Sequence, residues 1–169
     1  MKQIENFLTK KECDYFINFH KKNFDILPSK VKKMYESAEH ITEVISFPHL
    51  MDRDVFRNIF CKISQHIKNI NDSLYINYCE IVKWRTLSYQ GEHKDFDYHP
   101  FTSIIYLNDN YVGGETIIND IIIKPKKGKI ITFEGKKLKH KVNKVIKGIR
   151  YTIPVWYKNI DEVTEWHTS

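Results

Sequence analysis

The chain has 169 residues, of which 41% are hydrophobic and 14% aromatic, a composition that fits one globular domain and excludes a disordered segment. The net charge is +6 and the pI about 9.1, yet only Arg53, Arg57, Arg85 and Arg150 are arginines; phosphate and base readers lean on arginine, so the lysines read first as a solvated surface and second as an attraction for an acidic substrate or polyanion. No apolar run approaches a membrane span, no apolar leader follows Met1, and Cys13, Cys61 and Cys79 form no CxxC, so a soluble, cytoplasmic protein in a reducing compartment is expected.

Thr9 and Glu12 form a capping box, which predicts a helix from Thr9 to about Asn23, with Cys13, Phe16, Ile17 and His20 on one stripe. Pro28-Ser29 marks a turn, and Val31–Glu36 reads as one helical turn or a loop. Ile41–Phe47 reads as a short strand closed by Pro48. Asp52 is the expected N-cap of a second helix. Its stripe, Phe56, Ile59, Phe60, Ile63, Ile67 and Ile70, recurs at three and four residues and predicts packing against a sheet. Cys13 and Cys61 are expected to be buried thiols.

From residue 75 the period changes to two. Strands are predicted over 75–84, 102–107, two short ones within 116–124 joined near Asn119-Asp120, 129–133, 141–146 and 149–157, with turns at 108–110, 113–114, 125–128 and 147–148. Many short, closely spaced strands predict a barrel or jelly roll. One domain is expected over 1–169: a helical support region (1–74), a jelly-roll core (75–157) and a loosely held tail (158–169).

The chemistry concentrates at His93-Lys94-Asp95, His140 and Arg150. Side chains at i and i+2 of a strand share a face, so His93 and Asp95 can reach one metal. His140 joins them only if the chain folds back. Two imidazoles and one carboxylate with open positions suit a non-haem Fe(II), and Mn(II), Co(II) or Ni(II) as well. Asp97 and His99 continue the same alternation and are rival ligands, or groups that touch substrate. Alternation turns Arg150 inward, where a fixed positive charge needs an anion.

These residues sit within a longer text: His93-Lys94-Asp95, Thr102 to Asp109, Gly113-Gly114-Glu115-Thr116, Lys124 to Gly128, Thr132-Phe133, His140 and Gly148 to Tyr151. In that order the motifs resemble the Fe(II)/2-oxoglutarate dioxygenases, in their prolyl 4-hydroxylase-like branch, over roughly residues 80–157. Ile4 to Cys13 looks like the family's entry helix. The resemblance implies a double-stranded β-helix with N-terminal supporting helices. It implies an oxidoreductase in which His93, Asp95 and His140 hold Fe(II) and Arg150 pairs with the distal C5 carboxylate of 2-oxoglutarate. Tyr106 resembles the tyrosine that bonds the same carboxylate; Thr116 and Thr152 are further candidates. Trp84 stands where relatives often carry a tyrosine, nine residues before the first histidine; it is counted with the co-substrate contacts, though an indole N–H donates and cannot accept. Trp156 resembles a family aromatic that lines the site or packs.

The activity so implied is hydroxylation of an unactivated C–H with O2, giving succinate and CO2, on a peptidyl proline, with ascorbate as a candidate reductant. Asp95 favours hydroxylation, because related halogenases lack the carboxylate. Residues 24–45 and 96–101 are candidate substrate-covering loops. One alternative keeps the chemistry and takes a free amino acid or another small metabolite. Another is a non-catalytic metal-binding barrel or interaction module, against which the intact triad and Arg150 argue. Nucleic-acid demethylation is disfavoured, because repair-type relatives carry a second arginine where Trp156 stands.

Overall fold

The computed structural model describes residues 1–37 and 41–161. In chain order its elements are β1 (Lys2–Ile4), α1 (Lys10–Asn23), β2 (Lys32–Glu36), β3 (Ile41–Ser46), α2 (Asp54–Lys68), β4 (Leu74–Trp84), β5 (Gln90–His93), β6 (Phe101–Tyr106), β7 (Val112–Gly113), β8 (Thr116–Ile118), β9 (Ile121–Ile123), β10 (Ile130–Phe133), β11 (His140–Val142), β12 (Val145–Lys147) and β13 (Arg150–Asn159). Most of the tail expected over 158–169 lies outside the described residues, as do positions 38–40 of the expected loop 24–45.

The two helices form for local reasons. Thr9 accepts from the Glu12 backbone N–H at 3.2 Å while Glu12 takes the Thr9 N–H at 2.7 Å, so the capping box starts α1 where expected. The second helix begins later than the sequence suggests. Its N-cap is Arg53, without a side-chain cap bond, because Pro48–Leu50 form a 3-10 turn whose Leu50 carbonyl takes the Arg53 N–H at 3.1 Å and leaves Asp52 inside the turn. Asp54 then supplies the acidic group at the positive end of the helix and pairs with Arg57. Phe56, Ile59, Ile63 and Ile67 are buried, each worth about 1.5–3 kcal/mol of transfer free energy. Cys61 is exposed rather than buried, since it lies off that arc; Cys13 and Cys79 are the buried thiols.

The strands close as a double-stranded β-helix. A seven-stranded antiparallel sheet runs in the order β1-β10-β6-β13-β4-β3-β2, and a four-stranded sheet in the order β5-β11-β8-β9. Period-two alternation along β13 divides its work: Tyr151, Ile153, Val155 and Tyr157 join the core shared with the helices, while Arg150, Thr152, Pro154 and Trp156 line a cavity on the other side. A second core cluster, Tyr106, Ile104, Ile131 and Phe133 with Ile118 and Ile123, ties the two sheets together.

Three strands occupy residues 1–74 beside the helices, and all three extend the large sheet. Val31–Glu36 is neither helical turn nor loop: Lys32–Glu36 pairs with Ile45–Ile41 along its whole length. In Lys-Lys-Met-Tyr-Glu only Tyr35 favours a strand, so the conformation comes chiefly from the partner. The strand expected over 141–146 is two strands, because β11 pairs with β5 and β8 whereas β12 pairs with β7, and the break falls at Asn143-Lys144. Asn119 (φ 44°) and Asp120 (φ 67°) turn the hairpin between β8 and β9 in the left-handed region that Asn and Asp tolerate.

Candidate active site

Register assembles the site. His140 is the direct cross-strand partner of His93, because β11 pairs antiparallel with β5. Their rings lie 4.3 Å apart, centroid to centroid. His93, Asp95 and His140 each turn one ligand atom inward, and those atoms all lie within 4.8 Å of one another. Each imidazole is oriented by a carbonyl. His93 Nδ1 meets Gly91 O at 2.8 Å and His140 Nδ1 meets Leu138 O at 2.9 Å. A carbonyl oxygen only accepts, so both Nδ1 atoms carry the proton and both Nε2 atoms keep a lone pair for a metal.

Asp95 is held from several sides. Its carboxylate accepts from the Thr102 hydroxyl, and from Trp156 Nε1 at 3.3 Å, while its backbone N–H donates to Gly135 O at 3.0 Å. Burial works against its charge, but His140, Thr102 and Trp156 outweigh that and hold the carboxyl below its ordinary range. For His140, burial favours the neutral ring, yet the Asp95 carboxylate at 3.6 Å raises its pKa. Gly135 is part of this arrangement, a residue the sequence reading passed over. A Cβ there would sit 2.6 Å from Thr102 Oγ1, 2.9 Å from Asp95 Cγ, and closer still to Asp95 Oδ2. A single glycine between two strands carries no signal of that kind without the fold.

The three ligand-bearing residues open on a cavity of about 750 Å³ that Arg150 also lines. Arg150 begins β13, opposite Trp84 of β4, and is only 1% exposed. Its guanidinium faces the Trp84 ring at 4.9 Å and the Tyr106 ring at 5.9 Å. Nη2 donates to Thr116 Oγ1 at 3.2 Å, and the Tyr106 hydroxyl donates to the same oxygen at 2.8 Å. Thr116 therefore accepts twice and keeps its own proton to give. Among the described residues nothing hydrogen-bonds Arg150 Nε or Nη1, or the Tyr111 hydroxyl. Buried donors without acceptors are costly, and here they share one spot with a full positive charge, an arrangement suited to an anion.

Tyr111 is a second residue the sequence missed, since Asn108-Asp109-Asn110 reads only as a turn. Burial raises its pKa, and that of Tyr106 to about 12, against the opposing Arg150 charge, so both hydroxyls stay protonated donors. Gly114 (φ +65°) makes room for this pair: a Cβ there would lie 3.2 Å from Arg150 Cδ and 3.2 Å from Tyr111 Cε2. Thr152 stands opposite Tyr106 and accepts from Trp84 Nε1 at 3.3 Å, so the indole N–H is spent on the neighbouring strand.

The rival ligands are not gathered in. Asp97 is exposed, and His99, though buried at the cavity wall, uses Nε2 with the Asn77 amide at 2.8 Å. Glu115 accepts from Asn143 at 3.1 Å, a contact that braces the break between β11 and β12. The cavity mouth carries aromatic rings: Tyr35 and Tyr78 from the large sheet, and Phe96 stacked on Tyr98 at 5.3 Å.

Three comparisons bear on this geometry. Residues 79–158 match the model of the 2OG-Fe(II) oxygenase superfamily, a stretch that begins on β4 and ends on β13 and so contains all the residues just described except Tyr35, Asn77 and Tyr78. Human prolyl 3-hydroxylase 2 is 26% identical over 122 residues, covering 52% of this chain and 17% of that protein, so the chain spans only a small part of this relative. Among solved structures, a Pseudomonas putida prolyl-4-hydroxylase is similar with a TM-score of 0.76 at 14% identity, covering 94% of this chain and 91% of that one. A prolyl hydroxylase from Trichoplax adhaerens, solved with a hypoxia inducible factor oxygen degradation domain peptide fragment, also gives 0.76, at 16% identity, covering 99% and 87%. At these identities the structures speak for the fold.

Proposed function

We propose, from the match of residues 79–158 to the 2OG-Fe(II) oxygenase superfamily, that this chain is such an oxygenase and hydroxylates an unactivated C–H of a peptidyl proline. The observation that carries the reading is the pairing, within one cavity, of an inward-facing His93, Asp95 and His140 set with an Arg150 whose Nε and Nη1 await an acceptor.

Both groups fit the residues present. Two Nε2 lone pairs and one carboxylate match the donor set of a non-haem iron with open positions. The planar guanidinium matches a carboxylate bidentately, and Thr116, which Tyr106 holds by its own hydroxyl, and Tyr111 offer protons beside it, which suits the distal carboxylate of 2-oxoglutarate. When bound, Fe(II) and 2-oxoglutarate supply the oxidising chemistry, in which O2 is split between succinate and the hydroxylated product, with release of CO2. The chain does the rest. Arg150 orients the co-substrate by its far end. Thr102 and Trp156 hold Asp95 ionised and in place. The wall formed by Val82, Ile104, Val142 and Pro154 keeps the reacting end apolar and poor in water. The aromatic rings at the mouth give flat apolar faces on which an extended, proline-containing peptide can lie.

Succinate release from 2-oxoglutarate with Fe(II), measured with and without a proline-rich peptide, tests this directly. The expected result is peptide-stimulated succinate, with the peptide gaining one oxygen. Succinate without a peptide effect would send the search to free amino acids or other small metabolites. No succinate under any condition would overturn the enzymatic reading. Ascorbate is tested in the same assay by omission.

A further inference from the structure

Acidic side chains that this fold buries are matched to partners. Glu43, 4% exposed on the helix-facing side of the large sheet, binds Lys83 at 2.9 Å and also Arg85. Asp95 has Thr102, Trp156 and His140. Glu80 breaks the pattern. It lies on β4 between Tyr78 and Val82, and alternation turns all of 78, 80, 82 and 84 into the cavity that holds the triad and Arg150. Its neighbour on β3 is Ser46, and around it stand Val82, Val44, Ile104 and Pro154. No hydrogen bond or ion pair with a described residue closes on its carboxylate. Lys33 on β2 is near enough to favour the charge, but burial outweighs it and raises the Glu80 pKa. The carboxylate faces the cavity with its charge disfavoured by burial, so a cation held there would complete it.

The register says where it acts. On β13, Trp156 pairs with Tyr78 and Thr152 with Val82, so the cavity wall beside Glu80 is Pro154, which has no N–H to offer. Glu80 is thus a diagonal neighbour of Trp156, at about 7–8 Å for such a pair, and the Trp156 indole touches Asp95. Glu80 and the triad therefore line one cavity, with Trp156 standing between them on the wall.

We propose that Glu80 is a specificity-determining residue that takes a cationic group of the substrate, the ammonium or guanidinium of a residue close to the oxidised one. The inference rests on the reading of this cavity as the substrate chamber. A cation placed there completes the carboxylate with a charge-assisted bond and keeps the neighbouring carbon at the metal-facing end.

The test is anaerobic binding of fluorescein-labelled peptides to the protein loaded with Fe(II) and 2-oxoglutarate, read by anisotropy. Each peptide holds one proline, with lysine or the uncharged norleucine at each of the two positions on either side. The expected result is that lysine at one position tightens binding about tenfold or more over norleucine, the scale of a hydrogen bond to a charged group. Glu80→Gln, which keeps the shape and removes the charge, is expected to erase the preference, and Glu80→Lys to shift it toward glutamate. Equal binding of both series, including no binding of either, overturns the proposal. So does a lysine preference that survives in Glu80→Gln. Admitting O2 and weighing the peptides separates this from the prolyl reading. A charge preference without oxygen gain keeps Glu80 and removes proline as the target. Oxygen gain without a charge preference does the reverse.

Discussion

Gly135→Ala isolates the support of Asp95, the proposed metal ligand, from the ligand itself. The added methyl would stand 2.9 Å from Asp95 Cγ and 2.6 Å from Thr102 Oγ1, where ordinary contact begins at 3.4 Å. Thr102 must therefore give about 0.8 Å and the Asp95 carboxyl about 0.5 Å at Cγ, with more at Oδ2. Both are tied to neighbours, so neither can move without losing the Thr102–Asp95 hydrogen bond. Overpacking of this kind costs about 1–3 kcal/mol of stability, while losing a support of a metal ligand costs roughly 10–100-fold in metal affinity. The expected outcome is a folded protein, slightly lower in Tm, that binds Fe(II) 10–100-fold more weakly on this scale. Anaerobic Fe(II) titration followed by indole fluorescence reads it, since Trp156 touches Asp95. Circular dichroism checks the fold. Wild-type metal affinity in a folded Gly135→Ala protein would refute the reasoning, and would mean that Asp95 does not depend on the space Gly135 leaves.

His140→Ala is expected to abolish succinate formation while the thermal transition stays cooperative; turnover surviving in that variant would remove His140 from the metal set. Arg150→Ala is expected to raise KM for 2-oxoglutarate far more than it lowers kcat, by about 2–5 kcal/mol or more of lost charge pairing, and an unchanged KM would assign the carboxylate elsewhere. Tyr111→Phe removes one hydroxyl of the anion site and should raise the same KM roughly two- to tenfold, the scale of about 0.5–1.5 kcal/mol. Glu43 carries a pH prediction. Burial opposes its charge, but Lys83 and Arg85 prevail and hold its folded pKa below the unfolded value, so its contribution is complete above the ordinary carboxylate range and is lost as pH falls through the folded value. Denaturant unfolding from neutral to acid pH should show that loss in the wild type and a flatter acid limb in Glu43→Gln.

How much of this was legible in the chain divides along the range of the forces involved. Local features could be read because they are satisfied within a few residues. The Thr9–Glu12 box closes on itself. The α2 stripe needs only the helical period. Arg150 points away from the helix core because Tyr151, Ile153 and Val155 take the other face, whereas Asp95, though two residues from His93, lies past the end of β5 and is placed by its backbone bond to Gly135. The order of short motifs was enough to suggest both the double-stranded β-helix and the family.

What remained hidden depends on pairings between distant segments. His140 meets His93 only through the β5–β11 register, and a slip of one residue would turn it away. The strand at Lys32–Glu36 exists because β3 offers an edge, against its own weak propensity. Asp52 lost its expected capping role to a 3-10 turn that satisfies the backbone first. Gly135 beside Asp95, Tyr111 beside Arg150, and Glu80 on the cavity wall are each defined by what stands across the cavity. By itself the sequence determined which residues could do chemistry and which way their strands would turn them, because alternation and capping are local. Only the tertiary structure decided which of them meet, because register and close approach are properties of two chain segments at once.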